Sequence, residues 1–224
     1  MRNALLLVLG VCMLGVTKAQ TLPSAAPAPT PWRWGISWNL LPLMANGYHV
    51  SLEKAWGPGS RHSILLTPQG YRGPVNDLTS ELHETGTDRV RGYGLEVHHR
   101  IYLGATPSPA DGYYVAYGAS YQHFRLQFQA KSWQPEAGPD NLYYYEYRLR
   151  NQTETIDRYG ASVVLGRQLV FPDTSFFLDA YLGLGLRKAD PRGTLPTTHY
   201  ASSMSDYGSA GFYLPVGLRV GMAL

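Results

Sequence analysis

The sequence predicts an all-β fold, an eight-stranded antiparallel transmembrane β-barrel of up-and-down topology. The clearest sign is the stretch after the Pro-Asp-Thr-Ser turn at 172–175. Phe176, Leu178, Ala180, Leu182, Leu184 and Leu186 share one face, while Phe177, Asp179, Tyr181, Gly183, Gly185 and Arg187 share the other. That is the period of two expected of a strand. The first face is a continuous apolar stripe and the second mixes small, aromatic and charged residues, so the apolar side reads as the outside. No stretch beyond the first nineteen residues approaches the ~18 consecutive apolar residues of a membrane helix, so a membrane-embedded chain would cross as strands. Turns along the chain also alternate between short and long, with only the Asn46-Gly47 turn departing from the scheme, as in barrels with short periplasmic turns and longer outer loops.

The chain begins with Met1-Arg2, an apolar run from Ala4 to Val16 and the small-residue end Thr17-Lys18-Ala19. This reads as a secretory signal peptide over 1–19, cleaved near Ala19. Cys12 is the only cysteine and leaves with it. A lipidated Cys12 is disfavoured by the bulky Val11 before it and the short apolar run. The mature chain thus has no disulfide and no cysteine-based metal site in its oxidising compartment, and nothing in it calls for a cofactor. The full sequence's 19 basic and 16 acidic residues nearly balance, which gives no nucleic-acid signature. Residues 20–31, rich in Pro, Ala and Ser, form a leader without regular structure, and 32–224 form the barrel.

The first strand is expected over Trp32–Leu43, with Trp34, Ile36, Trp38 and Leu40 opposite Arg33, Gly35, Ser37 and Asn39. Asn46-Gly47 reads as a tight hairpin turn. The second strand, Tyr48–Trp56, sets Tyr48, Val50 and Leu52 outward against His49, Ser51 and Glu53, and ends at Gly57-Pro58-Gly59. A third, Arg61–Gln69, leads into a polar loop over Gly70–Asp88. The fourth, Arg89–Leu103, puts Tyr93, Leu95, Val97 and Ile101 outward and Gly94, Glu96, His98, Arg100 and Tyr102 inward, followed by a turn at Thr106–Pro109. The fifth runs from Gly112 to as far as Trp133 and the sixth from Leu142 to Phe171. Both exceed the ~9–11 residues that span a bilayer, so their distal halves should project as a hairpin. The seventh ends near Lys188, a loop covers Ala189–Ala210, and Gly211–Leu224 is the eighth.

Several segments together resemble the small eight-stranded outer-membrane β-barrel proteins of Bacteroidetes-type bacteria, many of them in domain-of-unknown-function families. They are Ser37-Trp38-Asn39-Leu40-Leu41, Gly94-Leu95-Glu96 with Arg100-Ile101-Tyr102-Leu103, Arg158-Tyr159-Gly160-Ala161 with Leu165-Gly166-Arg167-Gln168, and Leu178 through Gly185. The resemblance covers nearly the whole mature chain and implies a fold and an outer-membrane location in a Gram-negative bacterium. It implies no catalytic residues. The Leu224 terminus, where such barrels often end in an aromatic, and the Pro-rich leader depart from the pattern.

Candidate functional residues fall into three groups. Arg33, Glu53, Glu96, Arg100, Arg125, Asp179, Arg187 and Arg219 are inward charges, which would line a narrow selective pore or, as the stronger reading, pair into a plug. His49, Ser51 and Glu53 form an H-x-S-x-E row that a membrane-embedded lipid hydrolase could use. Their inward parity and the ~6.6 Å between alternate strand residues weigh against it, and the chain is expected to be non-enzymatic. His98 and His99 point to opposite faces and cannot chelate together. Lys54 and Arg167 lie outward near the periplasmic ends and are expected to reach toward headgroups. Finally, Phe128, Trp133, Tyr143, Tyr144, Tyr145, Tyr147 and Arg148 crowd the projecting hairpin, with aromatic and Arg character suited to a protein partner. The expected role is a surface scaffold or interaction protein in contact with outer-membrane lipid. A soluble secreted barrel of lipocalin type would instead need an apolar interior.

Overall fold

The computed structural model describes residues 33–56, 61–80, 87–108, 111–140, 142–195, 198–201 and 206–224. The expected signal peptide, the leader and the Gly57–Gly59 turn lie outside them. Within the unit Pro31–Leu224 the chain forms β1 (Trp34–Asn39), β2 (Gly47–Ala55), β3 (His62–Pro74), β4 (Arg89–Ser108), β5 (Asp111–Ala137), β6 (Tyr143–Val170), β7 (Phe176–Gly193), β8 (Gly211–Tyr213) and β9 (Val216–Ala223). Each strand from β1 to β7 pairs antiparallel with the next in sequence, β9 pairs with both β7 and β1, and the ring is closed. The last two segments form one interrupted strand, so the wall has eight positions. Among the described residues no helix is long and apolar enough to cross a membrane.

The register shows how the ring closes. Arg158 pairs with Gln122, then Gly94, Gln69, His49, Asn39, Arg219 and Asp179 follow, and the path returns to β6 at Gln168. The return point is ten residues from the start, the stagger that tilts strands around a barrel axis. Parity then decides which side chains meet lipid. Trp38, Val50, Leu66, Val97, Val163 and Leu184 are all exposed, while Ser51, Glu53, Ser63, Arg100, Asp179 and Arg219 are buried. Charges inside and a continuous apolar belt outside make this a transmembrane barrel rather than a lipocalin-like one, and closure leaves no strand edge in the belt.

Several elements differ from the sequence reading: β4 runs on to Ser108, through most of the expected Thr106–Pro109 turn, and β5 reaches Ala137. Asn46-Gly47 is not a two-residue hairpin turn. Residues Leu41–Ala45 form a 3-10 helix, and Asn46, at φ 55°, ends it. Pro42 has no N–H to give a neighbouring strand, so β1 stops at Asn39. The connection is thus a longer one, on the same end as the other long loops, and the alternation has no exception. Gly70–Pro74, expected as loop, continues β3 and pairs with Arg89–Tyr93. β7 runs on to Gly193, in register with Glu154. The expected eighth strand breaks at Leu214-Pro215, again where proline removes a donor.

Above the polar lumen, on the long-loop side, the interior becomes apolar. Tyr71, Val75, Val90, Phe124, Leu126, Phe128, Ile156, Tyr200 and Tyr207 pack as one buried cluster. The segment after β7 turns inward to supply the last two. Its backbone is anchored where the Glu154 carboxylate accepts from the N–H of His199 at 2.8 Å, and where the Tyr200 hydroxyl donates to Asp88 at 2.6 Å. Burial and that bond raise the Tyr200 phenol well above its ordinary range.

Candidate functional site

In the half of the lumen nearer the short turns, Arg100 is the centre of a charge network. Its guanidinium lies 3.0 Å from the Glu53 carboxylate and 2.6 Å from Asp179. Arg219 reaches the same Asp179 oxygen at 3.1 Å. Tyr102 donates to Glu53 at 2.7 Å and Tyr114 to Asp179 at 2.7 Å, while Ser63 donates to Glu53. The Tyr114 and Tyr181 rings lie 4.3 Å and 4.0 Å from the guanidinium carbons of Arg100 and Arg219. Two cations and two anions thus balance in a space sealed by aromatic rings. This arrangement fills the lumen rather than lining an open path.

The other predicted inward charges divide. Glu96 accepts from the Gln69 amide at 2.9 Å and faces His98 Nδ1 at 2.9 Å. Arg187 faces the lumen, with the Tyr213 ring 5.3 Å away and a bond to the Ser209 hydroxyl. Arg33 and Arg125 are corrections, since both are exposed. Arg33 precedes β1 and is outside its alternation. On β5 the even positions point inward, Tyr114 through Phe124, Leu126 and Phe128, so Arg125 points out.

His49, Ser51 and Glu53 do lie inside, but they do not touch one another. His49 Nε2 faces the Tyr71 hydroxyl at 2.8 Å, and the Ser51 hydroxyl faces that of Thr67 at 2.8 Å. A different set does line up: Ser162 Oγ is 3.0 Å from His98 Nε2, and His98 Nδ1 meets Glu96. Its members come from β4 and β6, 64 residues apart for the first pair, so no local motif could signal it. His99, on the opposite face, joins an outward cluster with His62, Trp56 and Tyr117. Lys54 and Arg167 sit 4.9 Å over the rings of Trp34 and Tyr113.

Between the charge network and the apolar cluster lies a cavity of about 240 Å³. Its walls include His49, Gln69, Tyr71, Glu96, Gln122, Arg158, Tyr181 and Arg187, and on one side Pro42 and Leu214–Val216. Neither Ser162 nor His98 reaches it.

Beyond the ring, β5 and β6 continue as a two-stranded ribbon from Phe128↔Gln152 to Ala137↔Tyr143. The β4 ladder ends at Gln127 and the β7 ladder at Glu154, so among the described residues the ribbon has two open edges. Trp133, Tyr143, Tyr144, Tyr145 and Tyr147 are exposed, Trp133 at 65% and Tyr143 at 74%. Trp133 packs on Tyr147, and Arg148 pairs with Glu146 at 2.6 Å and Glu136 at 3.7 Å. Phe128 is a correction: it is 3% exposed and packs on His199 and Tyr200, which removes it from any partner surface.

No family model matches the chain, and no curated protein matches it. Among solved structures, CarO of Acinetobacter baumannii is similar. The likeness covers 87% of this chain and 98% of that one at 11% identity, with a TM-score of 0.42.

Proposed function

We propose that this chain is an outer-membrane barrel of the small Bacteroidetes-like kind, in a Gram-negative bacterium. In this reading its work is recognition at the cell surface, with neither conduction nor catalysis. The observation that carries the proposal is the ribbon above Gln127 and Glu154, which presents open strand edges and a row of exposed aromatics. A lone two-stranded ribbon is marginal in water, and an open edge invites a further strand. The ion pairs of Arg148 and the Trp133–Tyr147 contact hold the ribbon ready for a partner protein. The interior supports the same reading, because the Arg100 network and the Phe124–Tyr207 cluster block the lumen at two levels.

The test is a photo-crosslinking residue at Tyr145 in the otherwise intact chain in cells, with planar-bilayer recording of the purified protein. A discrete protein adduct is expected, lost when Gln129–Arg150 are deleted from a barrel that stays heat-modifiable, and no steady conductance is expected. Adducts to lipid alone, or a stable open channel, refute the proposal.

A further inference from the structure

The barrel wall is interrupted beside the cavity. β1 ends at Asn39 and the 3-10 helix Leu41–Ala45 follows, while on the facing side β8 pairs only with β7. Residues 211–215 therefore have no strand on their other side among the described residues. Pro42 and Pro215 stand at the two margins, and neither has an N–H with which to close the ladder. Both line the cavity, so the gap leads sideways into the lumen. Its outer rim is apolar: Leu43, Met44, Phe212 and Leu214 are exposed there, Phe212 at 73%.

Inside, Arg158 is held by neutral groups. Its Nε donates to the Gln122 side-chain oxygen at 2.7 Å and its Nη1 to the Tyr207 carbonyl at 3.3 Å, both neutral. No carboxylate among the described residues forms an ion pair with it, in contrast to Arg100 and Arg219. Glu96, the acid of the cavity wall, has one oxygen on His98 and the other on Gln69. A second guanidinium, Arg187, lines the same space. A cation in a confined, partly desolvated site favours an anion, and guanidinium suits carboxylate or phosphate.

We propose that this cavity binds the anionic headgroup of a single-tailed amphiphile, a long-chain carboxylate or phosphate, that enters sideways through the Pro42–Pro215 gap while its tail stays against the apolar rim. The volume, about 240 Å³, lies below the ~300–1,000 Å³ of pockets that enclose a drug-sized ligand, which suits a headgroup and excludes a whole lipid. Arg158 anchors the charge, Gln69, Gln122 and Tyr213 offer neutral hydrogen bonds, and the rim takes the first methylenes. The proposal rests on the barrel being membrane-inserted, and it is independent of what the hairpin binds.

The experiment uses the full barrel in nonionic detergent, with heat-modifiability recorded for every variant so that loss of the fold is seen separately. Palmitate and hexadecyl phosphate, counted by native mass spectrometry, are expected to bind one per barrel. Arg158→Gln should weaken both about tenfold or more, the scale of one charge-assisted hydrogen bond, and Arg158→Lys should restore part of the loss. A photoreactive fatty acid should mark peptides at 40–48 and 211–218. Equal binding of hexadecanol, or undiminished binding to folded Arg158→Gln, overturns the proposal. So does competition by inorganic phosphate or acetate at palmitate's own concentrations, which would make the ligand a soluble anion and the gap irrelevant.

Discussion

Removing Arg100 tests the charge network most sharply, because its two acids are not equally provided for. Asp179 keeps Arg219 at 3.1 Å and the Tyr114 hydroxyl when Arg100 is lost. Glu53 keeps only the hydroxyls of Tyr102 and Ser63, and a carboxylate among neutral groups is left without a counter-charge. Breaking a buried pair in this way costs about 3–5 kcal/mol. Arg100→Met should therefore destabilise the barrel by about that amount. Adding Glu53→Gln leaves Asp179–Arg219 as a complete pair and should recover most of the loss. Adding Asp179→Asn instead strands Arg219 while Glu53 stays charged, and should recover little or lose more. Urea unfolding of the barrel in detergent micelles, followed by tryptophan fluorescence and by the shift of the heat-modifiable band, measures all four proteins. A single variant within about 0.5 kcal/mol of the parent, typical of a surface position, would refute the reasoning. So would better rescue by Asp179→Asn than by Glu53→Gln.

Tyr200→Phe leaves Asp88 without the phenol that reaches it, and should cost about 1–3 kcal/mol and speed proteolysis between Thr194 and Ser209. Deleting Gln129–Arg150 should leave the heat-modifiable band and the unfolding midpoint of the membrane half nearly unchanged, since the ribbon pairs with neither β4 nor β7 above Gln127 and Glu154. At the ribbon tip the Tyr144 hydroxyl donates to Asp140 and holds that carboxyl below its usual range. A depressed carboxyl adds stability above its ordinary pKa and loses it as pH falls through the folded value. Asp140 also accepts from the Leu142 N–H at 3.2 Å, so the protection of that amide, its exchange relative to the intrinsic rate at each pH, should hold down through the ordinary carboxylate range and fall only below it.

The barrel was readable because its evidence is local: alternation over a few residues assigns each side chain to lipid or lumen, as in Leu182, Leu184 and Leu186 against Tyr181 and Arg187. What parity cannot supply is which inward residues meet. Arg100 lies 47 residues from Glu53 and 79 from Asp179, and only the stagger of the closed ring brings them together with Tyr102 and Tyr114. The expectation of inward charge places Arg125 inside, yet Phe124, Leu126 and Phe128 continue the even parity of Tyr114 and Ala116 and turn it outward. Charge does not line the interior along its whole length: the polar interior ends at the level of Phe124. Above that level the residues behave as a small soluble core, apolar inside, and Phe128 belongs to it. The inward course of Tyr200 and Tyr207 left no periodic trace, since a loop that fills a barrel mouth has none.

Ser162, His98 and Glu96 stand in the hydrogen-bond order of a nucleophile, a base and an orienting acid, so the non-catalytic reading depends on what surrounds them. Ser162 pairs across β5 with Gly118 and across β7 with Gly185. A methyl group added at Gly118 would collide with the Val97 carbonyl and the His98 ring, and one at Gly185 with the Tyr213 ring. The space around the serine is therefore already filled by the groups that hold the histidine and tyrosine in place. The cavity reaches the chain only at Glu96, the acid end, so a substrate held beside Arg158 would meet a carboxylate and not the hydroxyl. A fluorophosphonate should leave Ser162 unmodified in the folded barrel. Ser162→Ala should instead be felt in stability, by about 1–3 kcal/mol, because His98 Nε2 is left buried without its partner. Stoichiometric labelling of Ser162, abolished by His98→Gln in a barrel that remains heat-modifiable, would overturn this and make the interior an esterase.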